Sequence, residues 1–351
     1  MLADIINTVW PILVAILFFG VIIMSHELGH FTFARIFKVK INEFSIGMGP
    51  AILKRHKGDT DYSLRLLPIG GYVAMEGEDE DSPDPNSFNS KPCWQRAIII
   101  VAGATVNIIC GIIIMAIILA TSELIGTPTI VGFADNAASE AGGLKVGDRI
   151  VAIGNDKIHT EYDLSYFMMR DKDAVLDFVV ERDGKLTNVK SVKFDTVESD
   201  GSTTMVYDFA IVGIEPTFKS VTKYALLDSF SIGRIVWLSL YDLATMRFEL
   251  NDLSGPIGTV DIIADTTTDA VSTMDFSRLL TIMALIAINI GVFNLIPFPA
   301  LDGGRFLLII IEGITGKKLP AKVEAAINNA GLALLLGLMV VVTVNDISKF
   351  F

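Results

Sequence analysis

The sequence predicts a polytopic α-helical membrane protein with about four transmembrane helices and a β-rich domain inserted between the second and third. Three observations predict it. Of the 351 residues, 51% are hydrophobic, and the mean hydropathy is +0.54, outside the range of an ordinary soluble globule. Apolar runs near residues 5–34, 95–120, 277–301 and 328–345 approach the roughly 20 residues that span hydrocarbon. Between the second and third runs the pattern changes to short β-rich segments (129–133, 149–153, 175–181, 189–194 and 209–214) separated by glycine- and aspartate-bearing turns.

The first run carries only Asp4 ahead of it and no Lys/Arg cluster, so it is read as a retained span rather than a signal peptide. Arg35, Lys38 and Lys40 follow it, and Lys91 and Arg96 border the second run. The positive-inside rule therefore places their connection in the cytoplasm, the N-terminus outside and residues 121–276 outside. Arg305, Lys317, Lys318 and Lys322 return the connection after the third run to the inside. Residues 224–247 are apolar but carry Asp228, Arg234, Asp242 and Arg247, and read as an amphipathic helix at the outer interface. The net charge of -12 collects outside the runs, as in the acidic stretch 76–81, which reads as a solvated loop. No basic tract points to nucleic acid. The two cysteines, Cys93 and Cys110, support neither a structural disulfide nor a Cys-based metal site.

His26-Glu27-Leu28-Gly29-His30 lies inside the first run. On a helix, positions i and i+4 share a face, so both imidazoles can hold one metal ion, with Glu27 placed to take a proton from the attacking water. Catalytic zinc sites usually have three protein ligands, so a third is needed. Asp302 ends the third run, where Pro297 and Pro299 break the helix. An ionisable group at membrane depth is functional by default. Runs one and three cross in the same sense, so Asp302 arrives at the depth of the histidines, about 30 Å along the first helix from Ile5. A further crossing at 224–247 would put it on the opposite side. His56 and His159 read as solvated surface.

HELGH and Asn294-Leu295-Ile296-Pro297-Phe298-Pro299-Ala300-Leu301-Asp302-Gly303-Gly304 together resemble the site-2 protease family of intramembrane zinc metalloproteases. The likeness is closest to its bacterial branch with a single PDZ domain, the regulator of sigma factor protease type. The resemblance implies one Zn2+ per chain held by His26, His30 and Asp302, Glu27 as catalytic base, and Asn294 near the substrate or reacting carbonyl. Phe44-Ser45-Ile46-Gly47-Met48-Gly49-Pro50 and Leu67-Pro68-Ile69-Gly70-Gly71-Tyr72-Val73 look like the family's membrane-associated β-hairpin (about 41–76). There Gly47, Gly49, Gly70 and Gly71 are expected to admit a substrate backbone. Ala74 stands where the family commonly has Lys. Val101-Ala102-Gly103-Ala104-Thr105-Val106-Asn107 resembles an Ala-Gly-Pro-x-x-Asn pattern with Ala104 for Pro, and Ser254-Gly255-Pro256-Ile257-Gly258 resembles a further signature.

Gly143–Ile150 resembles a PDZ core turn and 161–169 its helix. The expected division is 1–120 (helices one and two with the β region), 127–215 (PDZ), 216–276 (interfacial helix and linker) and 277–351 (helices three and four). The resemblance implies a zinc metalloendopeptidase of the bacterial inner membrane, with its active site towards the cytoplasm and its PDZ domain outside. It would cut single-span membrane proteins already trimmed by an upstream site-1-type protease, such as anti-sigma factors or remnant signal peptides. Two other functional classes fit these residues less well. A metal transporter usually shows repeated halves, which are absent, and would leave Glu27 without a task. A catalytically silent PDZ adaptor would not need the full ligand set.

Overall fold

The first apolar run becomes one continuous helix, α1 (Leu2–Ile36), in the computed structural model. Residues 2–78, 80, 82–170, 173–199, 202–245, 256–273 and 275–348 are described. The chain continues through β1 (Ile41–Lys57), β2 (Thr60–Met75) and α2 (Cys93–Thr121) to β3 (Ile125–Phe133), α3 (Ala138–Ala141), β4 (Arg149–Ile153), β5 (Asp156–Lys157) and α4 (Glu161–Arg170). There follow β6 (Val175–Arg182), β7 (Lys185–Lys193), β8 (Thr196–Ser199), β9 (Ser202–Met205) and β10 (Phe209–Ile214). Helices α5 (Phe218–Ala244), α6 (Pro256–Thr273), α7 (Ser277–Asn294), α8 (Asp302–Thr315) and α9 (Ala321–Ser348) complete it. Two compact units result, Met1–Gly111 with Leu240–Phe351, and Ile112–Ser239.

Among the described residues four helical stretches are long and apolar enough to cross a membrane: Leu13–Ile36, Cys93–Thr121, Ser277–Asn294 and Lys322–Ile347. Measured from Leu13, His26 lies about 20 Å into its stretch, deeper than the 30 Å count from Ile5 suggested relative to the far end. The third stretch stops at Asn294 rather than 301. Proline lacks an N–H and forces the residue before it out of the helical region, so Pro297 and Pro299 turn 295–301 into a loop. Asp302 then opens a new helix, α8, which ends at Gly316 in the left-handed conformation (φ 67), its N–H capping the Glu312 carbonyl. Neither α6 nor a separate α8 was legible in the apolar pattern.

In the first unit β1 and β2 form a hairpin that folds on itself. Glu43–Ile46 face Gly71–Ala74 on one side and Asp61–Leu64 on the other, leaving the segment 70–75 at an edge. Arg65 ties the paired segments together, donating to Ser45 Oγ at 2.9 Å and Glu43 Oε1 at 2.7 Å. An apolar core of Ala34, Val39, Ile41, Val73, Ile99, Ile100 and Ile309 joins the end of α1, the hairpin, the start of α2 and α8. A second core, including Ala15, Phe18, Ile22, Ile263, Ala270, Leu279 and Ala287, packs α1, α6 and α7.

The second unit is the β-rich domain. Its main sheet has the order β10-β3-β4-β6-β7, and alternating inward residues such as Ile150, Phe178, Val180 and Val192 fill its core with Phe167 and Met168 of α4. The expected strands are all present. The β8–β9 hairpin and α3 are additional. α5 docks on α4 through Asp163, fully buried, which accepts the Ser231 hydroxyl at 2.9 Å and the His159 N–H at 2.9 Å. Burial, with Glu161 and Asp163 nearby, pushes the Asp228 carboxyl up to about 8. His159 is half-buried against the Phe230 ring rather than solvated, because α5 covers it.

Candidate metal centre

α1 and α2 run antiparallel at close range because glycines line their contact. A Cβ on Gly29 would lie 2.6 Å from the Ala102 carbonyl oxygen. One on Gly103 would lie 2.4 Å from His30 Nε2 and 2.9 Å from His26 Cε1. Only glycine at 103 leaves the space into which both imidazoles turn. Close helix approach through small residues is the usual device in lipid, where apolar surface alone does not drive helices together.

Into that space project His26 and His30 from α1, their rings edge to face with centroids 4.7 Å apart. Their Nε2 atoms are 3.1 Å apart. Asp302 Oδ2 lies 3.0 Å from His26 Nε2 and 3.3 Å from His30 Nε2. Among the described residues this is the one group of His, Cys, Asp and Glu ligand atoms gathered so closely. Donor atoms at about 2.0–2.1 Å from a tetrahedral zinc stand roughly 3.3 Å apart, so the triangle has the right size.

The donor set fits a cation as well as its dimensions do. His30 Nδ1 lies 2.8 Å from the Ile99 carbonyl oxygen, which can only accept, so Nδ1 carries the hydrogen and Nε2 offers a lone pair. A carboxylate oxygen is also acceptor-only. Asp302 Oδ2 is buried and has no hydrogen-bond partner. Lone pairs facing one another without a proton are repulsive unless a metal ion stands between them.

Local structure holds Asp302 in place. It is the first residue of α8, where the helix dipole favours a negative charge. The loop 295–301 curls tightly over it: a Cβ on Gly303 would lie 2.2 Å from the Ile296 carbonyl oxygen and one on Gly304 2.3 Å from that of Phe298. Further along α8, Arg305 pairs with Glu78, and Glu312 accepts from Arg96 at 2.6 Å. Glu27 follows His26, and its side chain lies beside the hairpin edge at Gly71.

A profile of peptidase family M50 matches residues 14–338. The chain belongs to peptidase family M50. A Clostridium acetobutylicum protein that carries the zinc metalloprotease name is 37% identical to it, covering 96% of this chain and 97% of the relative. The regulator of sigma-W protease RasP of Bacillus subtilis is 28% identical, over 96% and 98% of the two chains. The zinc metalloprotease RasP of Geobacillus kaustophilus is 28% identical over 99% and 100%. This M50 protein is a membrane zinc metalloprotease of the site-2 type, and its cofactor is Zn2+.

The remaining expected site residues are distributed unevenly around the M50 centre. Asn294 closes α7, half-buried, just ahead of the loop that leads to Asp302. Gly71 lies beside Glu27: a Cβ there would be 3.5 Å from Glu27 Cγ and 2.9 Å from the Ser45 carbonyl oxygen. Gly47 and Gly49, both at positive φ, instead make the first reversal of the hairpin, and Gly70 packs on Met48. His56 is exposed and bonded to Asp61 at 2.7 Å. Ser254 and Gly255 lie outside the described residues. With Ala104 in place of Pro, α2 runs unbroken.

Gly29, Gly103 and the Ile99 carbonyl were not singled out from the sequence. Glycine within an apolar helical run was the available signal for the first two; backbone groups leave none. Gly103→Ala is expected to weaken zinc binding by at least about 10-fold, on the scale of lost ligand support, while the chain still inserts. Competition with a chromophoric chelator measures it, and wild-type affinity would contradict the packing described.

Proposed function

We propose that this M50 chain is an intramembrane endopeptidase that uses His26, His30 and Asp302 as zinc ligands and Glu27 as general base. It cuts within the transmembrane segment of single-span proteins first trimmed by an upstream protease. The observation that carries this reading is the meeting of three ligand atoms from distant parts of the chain beside a glutamate, on helices long and apolar enough to span a bilayer. Anti-sigma factors and remnant signal peptides are the substrate classes that the family resemblance implies, and a relative named regulator of sigma-W protease is in keeping with the first. The positive-inside pattern supports a cytoplasmic-side active site in a bacterial inner membrane, with residues 127–215 outside as a PDZ domain that screens substrates.

When bound, zinc supplies Lewis acidity that polarises a carbonyl and acidifies water. Glu27 takes the proton of the attacking water and returns it to the leaving nitrogen. Asn294 would hydrogen-bond the substrate near the carbonyl.

A helical substrate must unwind before attack, and each backbone group then exposed to lipid costs several kcal/mol unless it is paired. The edge segment 70–75 supplies a strand for that pairing, and it lies beside Glu27 at Gly71. Gly71 is where a side chain would crowd both Glu27 and the strand. Gly71→Val is expected to lower cleavage of a reconstituted single-span substrate by about 10–100-fold, the usual cost of misplacing a substrate by an ångström, with zinc content unchanged. Undiminished cleavage in proteoliposomes would remove the edge-pairing step.

A further inference from the structure

The chain carries a net charge of -12, yet one surface holds cations in excess. It lies where two spans end together. The first stops at Ile36 and the second starts at Cys93, and the exposed Trp94 ring meets Phe37 edge to face at 5.4 Å. Tryptophan at a span end marks the headgroup level of a bilayer. At that level Arg35, Lys38, Lys40, Asp59, Thr60 and Asp84 border an open concavity of about 500 Å³.

Some of the charges there cancel. Lys40 pairs with Asp84 at 3.4 Å and Glu76 at 3.6 Å, and Lys54 pairs with Asp61 at 2.9 Å. Arg35, Lys38, Arg55 and Lys57 form no ion pair among the described residues, and Asp59 is the one acid of the wall left to face them. Neutral groups hold Arg35 in place: its Nη2 donates to the Tyr62 hydroxyl at 3.3 Å, and its guanidinium lies 5.2 Å from the centre of the Phe31 ring. Arg55 stands opposite Tyr62 in the sheet, and Lys57 opposite Thr60. Opposed residues put their side chains on one face. The Tyr62 ring, 6.2 Å from that of Phe31, makes this the face towards α1. The helix end and the 51–57 part of β1 thus turn four uncompensated cations to the same side.

We infer that this concavity binds the headgroup of an anionic phospholipid. Arg35 and Arg55 present guanidinium forks that match phosphate oxygens, and Lys38 and Lys57 add charge. Its place at the end of a span favours a lipid over a soluble anion, since basic clusters there take acidic headgroups. A headgroup bound here ties the end of α1, the helix of His26 and His30, to the sheet whose opposite edge lies beside Glu27.

The test is native mass spectrometry of the full-length, detergent-solubilised chain titrated with dioleoylphosphatidylglycerol, dioleoylphosphatidylcholine or inorganic phosphate. Each Lys or Arg near an anionic surface contributes a factor of about five, so phosphatidylglycerol is expected to bind at least about 10-fold tighter than phosphatidylcholine. Arg35→Gln/Arg55→Gln is expected to weaken phosphatidylglycerol by about 25-fold. Lys317→Gln/Lys322→Gln removes the same charge from exposed positions between α8 and α9 and should stay within about twofold of wild type. Gel filtration and circular dichroism check that each variant is folded; should the double arginine variant fail, Lys38→Gln alone is expected to lose about fivefold. Equal affinity for the two lipids, or equal loss in both double variants, would overturn the inference and leave only diffuse attraction. Displacement of the lipid by an equal concentration of inorganic phosphate would overturn its assignment to a lipid.

Discussion

Glu27→Gln is expected to abolish measurable proteolysis while leaving one zinc per chain. The amide keeps the size and an acceptor oxygen, but it cannot take a proton. General-base catalysis contributes roughly 10²–10⁴-fold. Glu27 is asked both to activate water and to protonate the leaving nitrogen, so the loss should lie at the upper end. His26, His30 and Asp302 are untouched, and so the metal should stay. Single-turnover cleavage of a single-span substrate in proteoliposomes, with zinc measured on the same preparation, reads both quantities. Retained proteolysis would remove Glu27 from the chemistry. Lost zinc would mean that Glu27 holds the site together rather than acting in it. The same variant separates the other classes: zinc transport or adaptor binding would not depend on this proton acceptor.

The elements of the metal site that were legible in the sequence are those whose chemistry is written in side chains. His26 and His30 share a helical face by spacing alone, and Asp302 stood out as an ionisable group ending an apolar run. The five strands from 129 to 214 were legible because alternation and turn residues mark them. What escaped depends on backbone geometry. The apolar pattern ran on to 301, yet the two prolines end α7 at Asn294, and residues 302–315 make a helix of their own. The hairpin's extra pairing, with Glu43–Ile46 flanked on both sides, arises from chain reversals at glycines whose sequence signature matches any turn. Likewise Gly103 looks like any small residue in a span until the imidazoles are seen to fill the space above it.

Asp302→Ala carries the second large effect. Removing this carboxylate leaves two neutral imidazoles, one ligand fewer than catalytic zinc sites usually provide. It also removes the only negative charge among the three ligands. The loss in affinity should exceed the roughly 10–100-fold that a supporting contact costs, and activity should fall with it. The fold is expected to survive, because α8 is also held by Arg96–Glu312 and Arg305–Glu78 and by the Ile309 core. Asp302→Asn tests charge at nearly constant shape and should show an intermediate loss. The most direct measurement is the zinc content of the purified full-length chain and of Asp302→Ala after identical gel filtration in detergent. The account predicts one zinc per wild-type chain and almost none in the variant; equal stoichiometric zinc in both, or none in the wild type, would contradict it.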